Sequence, residues 1–147
     1  MKSLHTEIGI GAKAEIVWEI LADLDGWPGW NPVIKTSGKL AEGETIKVTL
    51  AAPGGEGLAL EPEITFLEQG REFRWTVRKY FGLFSAEHGF RVVPEDTGRC
   101  RFEHFETFSG PLGTATFSKQ EKMLKTGFEV MNRMLKREAE KRGREQD

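Results

Sequence analysis

Between residues 33 and 108 apolar side chains recur at every second position, and beyond residue 117 they recur at every third or fourth. That single change of period limits the architecture. The first stretch suits half-buried strands and the second an amphipathic helix. The strand-like runs are 34–38, 45–50, 58–67, 71–80, 85–93 and 99–108. Turn signals separate them: Glu42-Gly43, Gly54-Gly55, Gln69-Gly70, and the stretch between Pro94 and Gly98. Six short strands with tight turns make an antiparallel meander with one apolar face and one charged face. An apolar sheet face and an apolar helix stripe each need a partner, and the simplest solution is that they bury each other.

The flanking segments complete the pattern. Leu4, Thr6, Ile8 and Ile10 alternate with polar residues and predict a first strand. Ile16, Val17, Ile20, Leu21 and Leu24 fall at helical spacing, which predicts a helix over 13–24. Pro28 suits the first turn of a second short helix, and Asn31-Pro32 ends it. Phe117, Leu124, Phe128, Met131 and Leu135 form the stripe of the last helix, with Ser118 and Glu121 spaced as a capping box. A helix over 117–141 would measure roughly 37 Å, enough to cross a sheet. The charged tail after Glu138 is expected to fray. The expected fold class is α+β: a seven-stranded antiparallel curved sheet around a long C-terminal helix, with two short helices between strands one and two.

At 147 residues the chain is the size of one domain, 1–147. Its net charge of −2 gives no pull toward nucleic acid. No apolar run is long enough for membrane insertion. The first seven residues lack the apolar stretch of a signal peptide, and a lone Cys100 suits a reducing compartment, so a cytoplasmic location is expected. An inert buried thiol is the expectation for Cys100. Gly54-Gly55 lacks the following helix and Lys of a phosphate loop and is expected to be a hairpin turn. Ten Phe and four Trp against a single Tyr, Tyr80, supply apolar surface that can line a cavity as well as fill a core.

Three stretches carry a family resemblance. The first is Ala14-Glu15-Ile16-Val17-Trp18-Glu19-Ile20-Leu21-Ala22-Asp23, followed by Trp27-Pro28-Gly29-Trp30-Asn31-Pro32. The second is Glu87-His88-Gly89-Phe90 with Phe102-Glu103-His104-Phe105-Glu106-Thr107-Phe108-Ser109-Gly110. The third is Gly127-Phe128-Glu129-Val130-Met131-Asn132 in the last helix. Together they resemble the START/polyketide-cyclase superfamily, also called SRPBCC or helix-grip, in its bacterial polyketide cyclase/dehydrase-like branch. The resemblance implies a cavity between sheet and last helix that takes an apolar or aromatic, lipid- or polyketide-like small molecule. It does not choose among carriers, enzymes and modulators of partner proteins.

The chemistry-bearing residues on the apolar face are His88, His104 and Glu106. A five-residue loop at 94–98 would pair His88 with His104, and a three-residue loop would pair His88 with Glu106; either register keeps all three together. Buried polar groups need partners, so the set either satisfies itself, anchors a ligand, binds a metal as a two-His-one-carboxylate site without the close spacing that would support one, or performs acid–base chemistry as a cyclase, dehydratase or hydrolase would. No catalytic residue is assigned, and no metal or organic cofactor is expected. Strand parity and helical period place Trp75, Val77, His88, Phe90, Phe102, His104 and Glu106 on the sheet side of the cavity wall. Phe117, Leu124, Phe128 and Met131 face them from the helix, and Trp30 stands near an entrance. The expected assembly is a monomer or homodimer.

Overall fold

The computed structural model describes residues 1–51 and 57–146. Strand β1 (Lys2–Ile10) leads into helix α1 (Ala14–Ala22) and a 3-10 helix (Leu24–Gly29). Strands β2 (Ile34–Ser37), β3 (Lys47–Leu50), β4 (Leu58–Leu60), β5 (Glu63–Glu68), β6 (Glu72–Lys79), β7 (Phe84–Asp96) and β8 (Arg99–Ser109) follow. Helix α2 (Gly110–Gln146) closes the chain. All pairings are antiparallel, in the orders β1-β8-β7-β6-β5 and β2-β3-β4.

The run expected as one strand over 58–67 is two strands. Pro62 has no amide hydrogen for a ladder, and the run breaks there into β4 and β5. The break opens one sheet into two without detaching them. Ile46 N–H donates to the Pro62 carbonyl and Ile64 N–H to the Glu44 carbonyl, both at 2.9 Å. The Gly54-Gly55 turn lies outside the described residues.

Helix α2 differs from its sequence expectation at both ends. It starts at Gly110, with no linker after β8, and Ser118 is already inside it, donating to the Thr114 carbonyl at 3.1 Å. Gly110 makes the corner possible. Its φ is +80°, and a Cβ there would stand 2.3 Å from the Leu83 carbonyl oxygen. Pro111 then occupies the first turn, where no amide hydrogen is needed. At the far end the tail is helical to Gln146 instead of fraying. Ala139 is fully buried, and the Glu140 carboxylate accepts from Gly11 N–H at 2.8 Å while also contacting Lys136. The 37 residues of α2 span roughly 56 Å.

Two apolar clusters form where α1 and α2 cover the sheet. The larger holds Trp27, Phe73, Trp75, Phe90, Phe102, Met131 and Leu135 among others. The smaller holds Leu4, Ala86, Phe108, Phe117 and Phe128, with Phe84 and Leu124 half-buried against it.

A polar layer between two apolar clusters as the candidate functional site

The boundary between the clusters is polar on every element that crosses it. Along β7 the inward residues run Ala86, His88, Phe90; along β8 they run Phe108, Glu106, His104, Phe102. Thr6 separates Leu4 from Ile8 on β1, and Asn132 separates Phe128 from Leu135 on α2. Register brings these groups together. A bulge between Pro94 and Asp96 sets the β7–β8 hairpin so that His88 faces Glu106 and Phe90 faces His104. This is the three-residue-loop alternative of the sequence reading. His88 and His104 are therefore diagonal neighbours, and their Nε2 atoms meet at 2.7 Å.

Hydrogen-bond bookkeeping fixes the direction of the whole chain. The Thr6 hydroxyl donates to the His104 carbonyl at 3.2 Å, so its oxygen is free to accept Asn132 Nδ2–H at 2.9 Å. Asn132 Oδ1 then accepts from His104 Nδ1–H at 2.9 Å. A neutral His104 has only a lone pair left at Nε2, and His88 Nε2–H donates to it. The lone pair of His88 Nδ1 is turned toward Glu106, whose Oε2 lies 3.7 Å away, beyond hydrogen-bond distance.

Burial sets the protonation states. Desolvation drives His88 well below the usual imidazole value, with repulsion from His104 adding to it. Desolvation takes His104 down to about 3, opposed in part by its bond to Asn132. The same desolvation pushes Glu106 up to about 8. Near neutral pH all three groups are uncharged. The Phe128 ring lies flat on His104, with centroids 3.8 Å apart and planes 3° from parallel, and also stacks on His88 at 5.1 Å. Glu106 keeps 12% of its side chain exposed and makes no hydrogen bond among the described residues.

The twelve residues singled out in the sequence are distributed unevenly. Trp75, Phe90, Phe102 and Met131 belong to the large cluster, and Trp30 packs on it from Trp27 at 5.5 Å. Phe117, Leu124 and Phe128 face the small cluster. His88, His104 and Glu106 lie between. Val77 is half-buried and lines a surface groove of about 640 Å³ where the sheets separate, together with Lys47, Leu60 and Lys79. Thr6 and Asn132 were not singled out as site residues. Their signals were the inward parity of Thr6 and the i+4 spacing of Asn132 from Phe128. Asn31 was missed as well. Its Oδ1 accepts from Val33 and Ile34 N–H at 2.9 Å, while its buried Nδ2 has no partner among the described residues.

The donor sets are poor metal sites. A cation bound by both His88 and His104 through Nε2 would have to break their mutual bond and move the His88 proton to Nδ1. On the outer sheet face His5, Glu7 and Glu103 bring ligand atoms within 4.8 Å of one another. Glu103 there accepts from Arg91 at 2.5 Å and from Arg101 at 3.0 Å, and these guanidinium groups oppose a further cation. Cys100 is buried, which raises its thiol to about 11.

The family model for polyketide cyclase / dehydrase and lipid transport proteins matches residues 1–140. The chain belongs to this family. The Zhui aromatase/cyclase from Streptomyces sp. R1128 has a similar structure, with TM-score 0.76 and 16% identity over 96% of this chain and 94% of that one. A START superfamily protein from Mycobacterium smegmatis gives 0.69 and 17%, covering 95% of this chain and 97% of that one. The di-domain ARO/CYC BexL from the BE-7585A biosynthetic pathway gives 0.71 and 14%, covering 92% of this chain and 46% of that one. No curated protein matches the chain. At these identities the structural likeness concerns the fold, and it agrees with the helix-grip arrangement expected from the sequence. Among the described residues no helix is long and apolar enough to cross a membrane.

Proposed function

We propose that this family member is a non-covalent carrier of a hydrophobic or aromatic small molecule with a hydroxyl group. The observation that carries this reading is the open end of the polar chain. Glu106 is a mostly buried, neutral carboxylic acid with no hydrogen-bond partner among the described residues, beside an unfilled lone pair on His88 Nδ1. A ligand hydroxyl placed between them accepts from the acid and donates to the imidazole. The small cluster, with half-buried Phe84 and Leu124, supplies the apolar surface around it.

An enzymatic role for the histidine pair has less support. His104 has both ring nitrogens committed and its ring covered by Phe128, which leaves it no free atom for substrate. The test is displacement of an anilinonaphthalene dye by 2-naphthol and by 2-methoxynaphthalene. The reading expects tighter binding of the hydroxyl compound, and loss of that preference in Glu106→Leu. Equal binding of the two compounds by the parent protein overturns it.

A further inference from the structure

The turn between β6 and β7 presents aromatic residues to solvent at a conformational cost. Tyr80 and Phe81 both have positive φ, +56° and +53°, a region that bulky side chains rarely adopt. Tyr80 is 62% exposed and Phe81 109%, so neither ring gains packing in return. Leu83 in the same turn and Leu112 in the first turn of α2 are exposed too, and the Leu112 N–H donates to the Leu83 carbonyl at 3.0 Å. Two separate elements are thus tied into one apolar tip.

The two segments that build this tip are basic, while Glu61 and Glu63 share a groove with Arg78 and Lys79. Residues 78–86 and 110–120 carry Arg78, Lys79 and Lys119 and no carboxylate, in a protein whose net charge is −2. Arg78, Lys79 and Lys119 are all exposed. The tip also lies at the end of the sheet that bears the small cluster, because Phe84, the first residue of β7, packs into that cluster.

We propose that the β6–β7 turn docks on an anionic lipid surface, with Tyr80, Phe81, Leu83 and Leu112 entering the headgroup boundary and Arg78, Lys79 and Lys119 meeting lipid phosphates. The docking is interfacial and spans nothing. Aromatic and aliphatic side chains at a membrane boundary gain from leaving water, and basic residues beside them are drawn by the negative surface potential. Docking this end against lipid sets the small cluster at the surface from which a hydrophobic molecule would arrive, although the docking itself does not depend on ligand binding.

The experiment is co-sedimentation of ligand-free, full-length protein with vesicles at low ionic strength. One set is pure phosphatidylcholine, and the other has about a third of its lipid as phosphatidylglycerol. The parent is expected to sediment with the anionic vesicles, and less so as salt is added. Tyr80→Asn with Phe81→Gly supplies residues that suit a left-handed turn. It should lower partitioning at least about tenfold and unfold at or above the parent's temperature. Arg78→Gln with Lys79→Gln should lower partitioning to anionic vesicles by about 25-fold. Met123→Ser, which removes an exposed apolar residue farther along α2, should leave it unchanged. A tryptophan at the tip, Phe81→Trp, should shift its emission to the blue on the anionic vesicles alone. The proposal is overturned if the parent stays in the supernatant, or if the turn variant sediments as the parent does. It is also overturned if the parent forms a concentration-dependent dimer that the turn variant loses, which would assign the tip to a second copy of the chain.

Discussion

His88 and His104 face each other nitrogen to nitrogen, Nε2 to Nε2 at 2.7 Å, so a single proton serves both rings. Because His104 already donates from Nδ1 to Asn132, that proton belongs to His88. A second proton on the pair would set two N–H groups head to head in a dry interior. The geometry therefore requires the neutrality that desolvation favours, and it gives the hydrogen-bonded layer one direction, from His88 to Thr6.

The first consequence is a stability maximum near pH 6.5. His104, held down to about 3 against an ordinary 6.5, and His88, shifted the same way, are neutral when folded but take up protons when unfolded. Their contribution is complete above 6.5 and is lost as pH falls below it. Glu106, raised to about 8 from 4.5, is protonated when folded and ionised when unfolded. Its effect has the opposite sign, complete below 4.5 and lost as pH rises through 8. Between 4.5 and 6.5 the unfolded chain binds about one proton more than the folded one, and between 6.5 and 8 about one fewer. Each limb should slope by about 1.4 kcal/mol per pH unit. Urea unfolding across pH 5–8 measures this, and Glu106→Gln should flatten the alkaline limb and steepen the acid limb to about 2.7 kcal/mol per pH unit, because the proton that offset one of the histidines is gone.

Asn132→Leu removes the acceptor of His104 Nδ1–H and leaves that donor buried, at a cost of about 1–3 kcal/mol. Thr6→Val leaves Asn132 Nδ2–H without its partner and should cost a similar amount. With Asn132 gone the threonine has nothing more to satisfy on that side chain. The double variant should therefore unfold close to Asn132→Leu, well short of the sum. Additive losses in the cycle would show that the two side chains act separately.

Gly89 lies beneath the Phe105 ring, and a Cβ at that position would come within 2.1 Å of it. The two residues are paired across β7 and β8, and the Arg91 guanidinium carbon stands 4.8 Å from the centre of the same ring. Gly89→Ala should displace the ring and cost about 1–3 kcal/mol in chemical unfolding. In a Phe105→Ser background the same change should cost much less, because the obstruction has been removed.

Substitutions on α2 distinguish its two ends. Met131 is fully buried in the large cluster, so Met131→Trp should overpack it and lose about 1–3 kcal/mol. Leu124 is half-buried over the small cluster, so Leu124→Trp should fold like the parent and weaken dye binding. Phe128→Ala uncovers both imidazoles and should cost about 3–5 kcal/mol. Thermal unfolding read alongside dye titration tests all three.

Period carried the sequence reading far: parity placed His88, His104 and Glu106 on one face, and the helical stripe held from Phe117 to Leu135. It was silent on register, which depended on a bulge beside Pro94 that alternation does not reveal. The run over 58–67 looked continuous because Pro62 interrupts hydrogen bonding without disturbing the apolar pattern. Thr6 and Asn132 escaped notice because a small polar residue on an apolar face gains meaning only from what stands across from it. The left-handed turn at Tyr80 and Phe81 was invisible for a related reason. Aromatic residues signal strand, and here tertiary structure holds them in a conformation that their type disfavours. The helical tail past Glu138 was underestimated because Ala139 and Glu140 act through contacts near Gly11, more than a hundred residues away in sequence.

The polar layer also partitions evolutionary freedom. Residues on the large-cluster side hold helices and strands together, and changes there put folding itself at risk. On the other side Leu4, Ala86, Phe108, Phe117 and Leu124 form a separate compartment, insulated by a row of hydrogen bonds that keeps its own geometry. Size and shape can drift in that compartment while the rest of the molecule stays as it is. Under the proposed carrier function, a chain built this way could be retuned for a new guest without having to learn again how to fold.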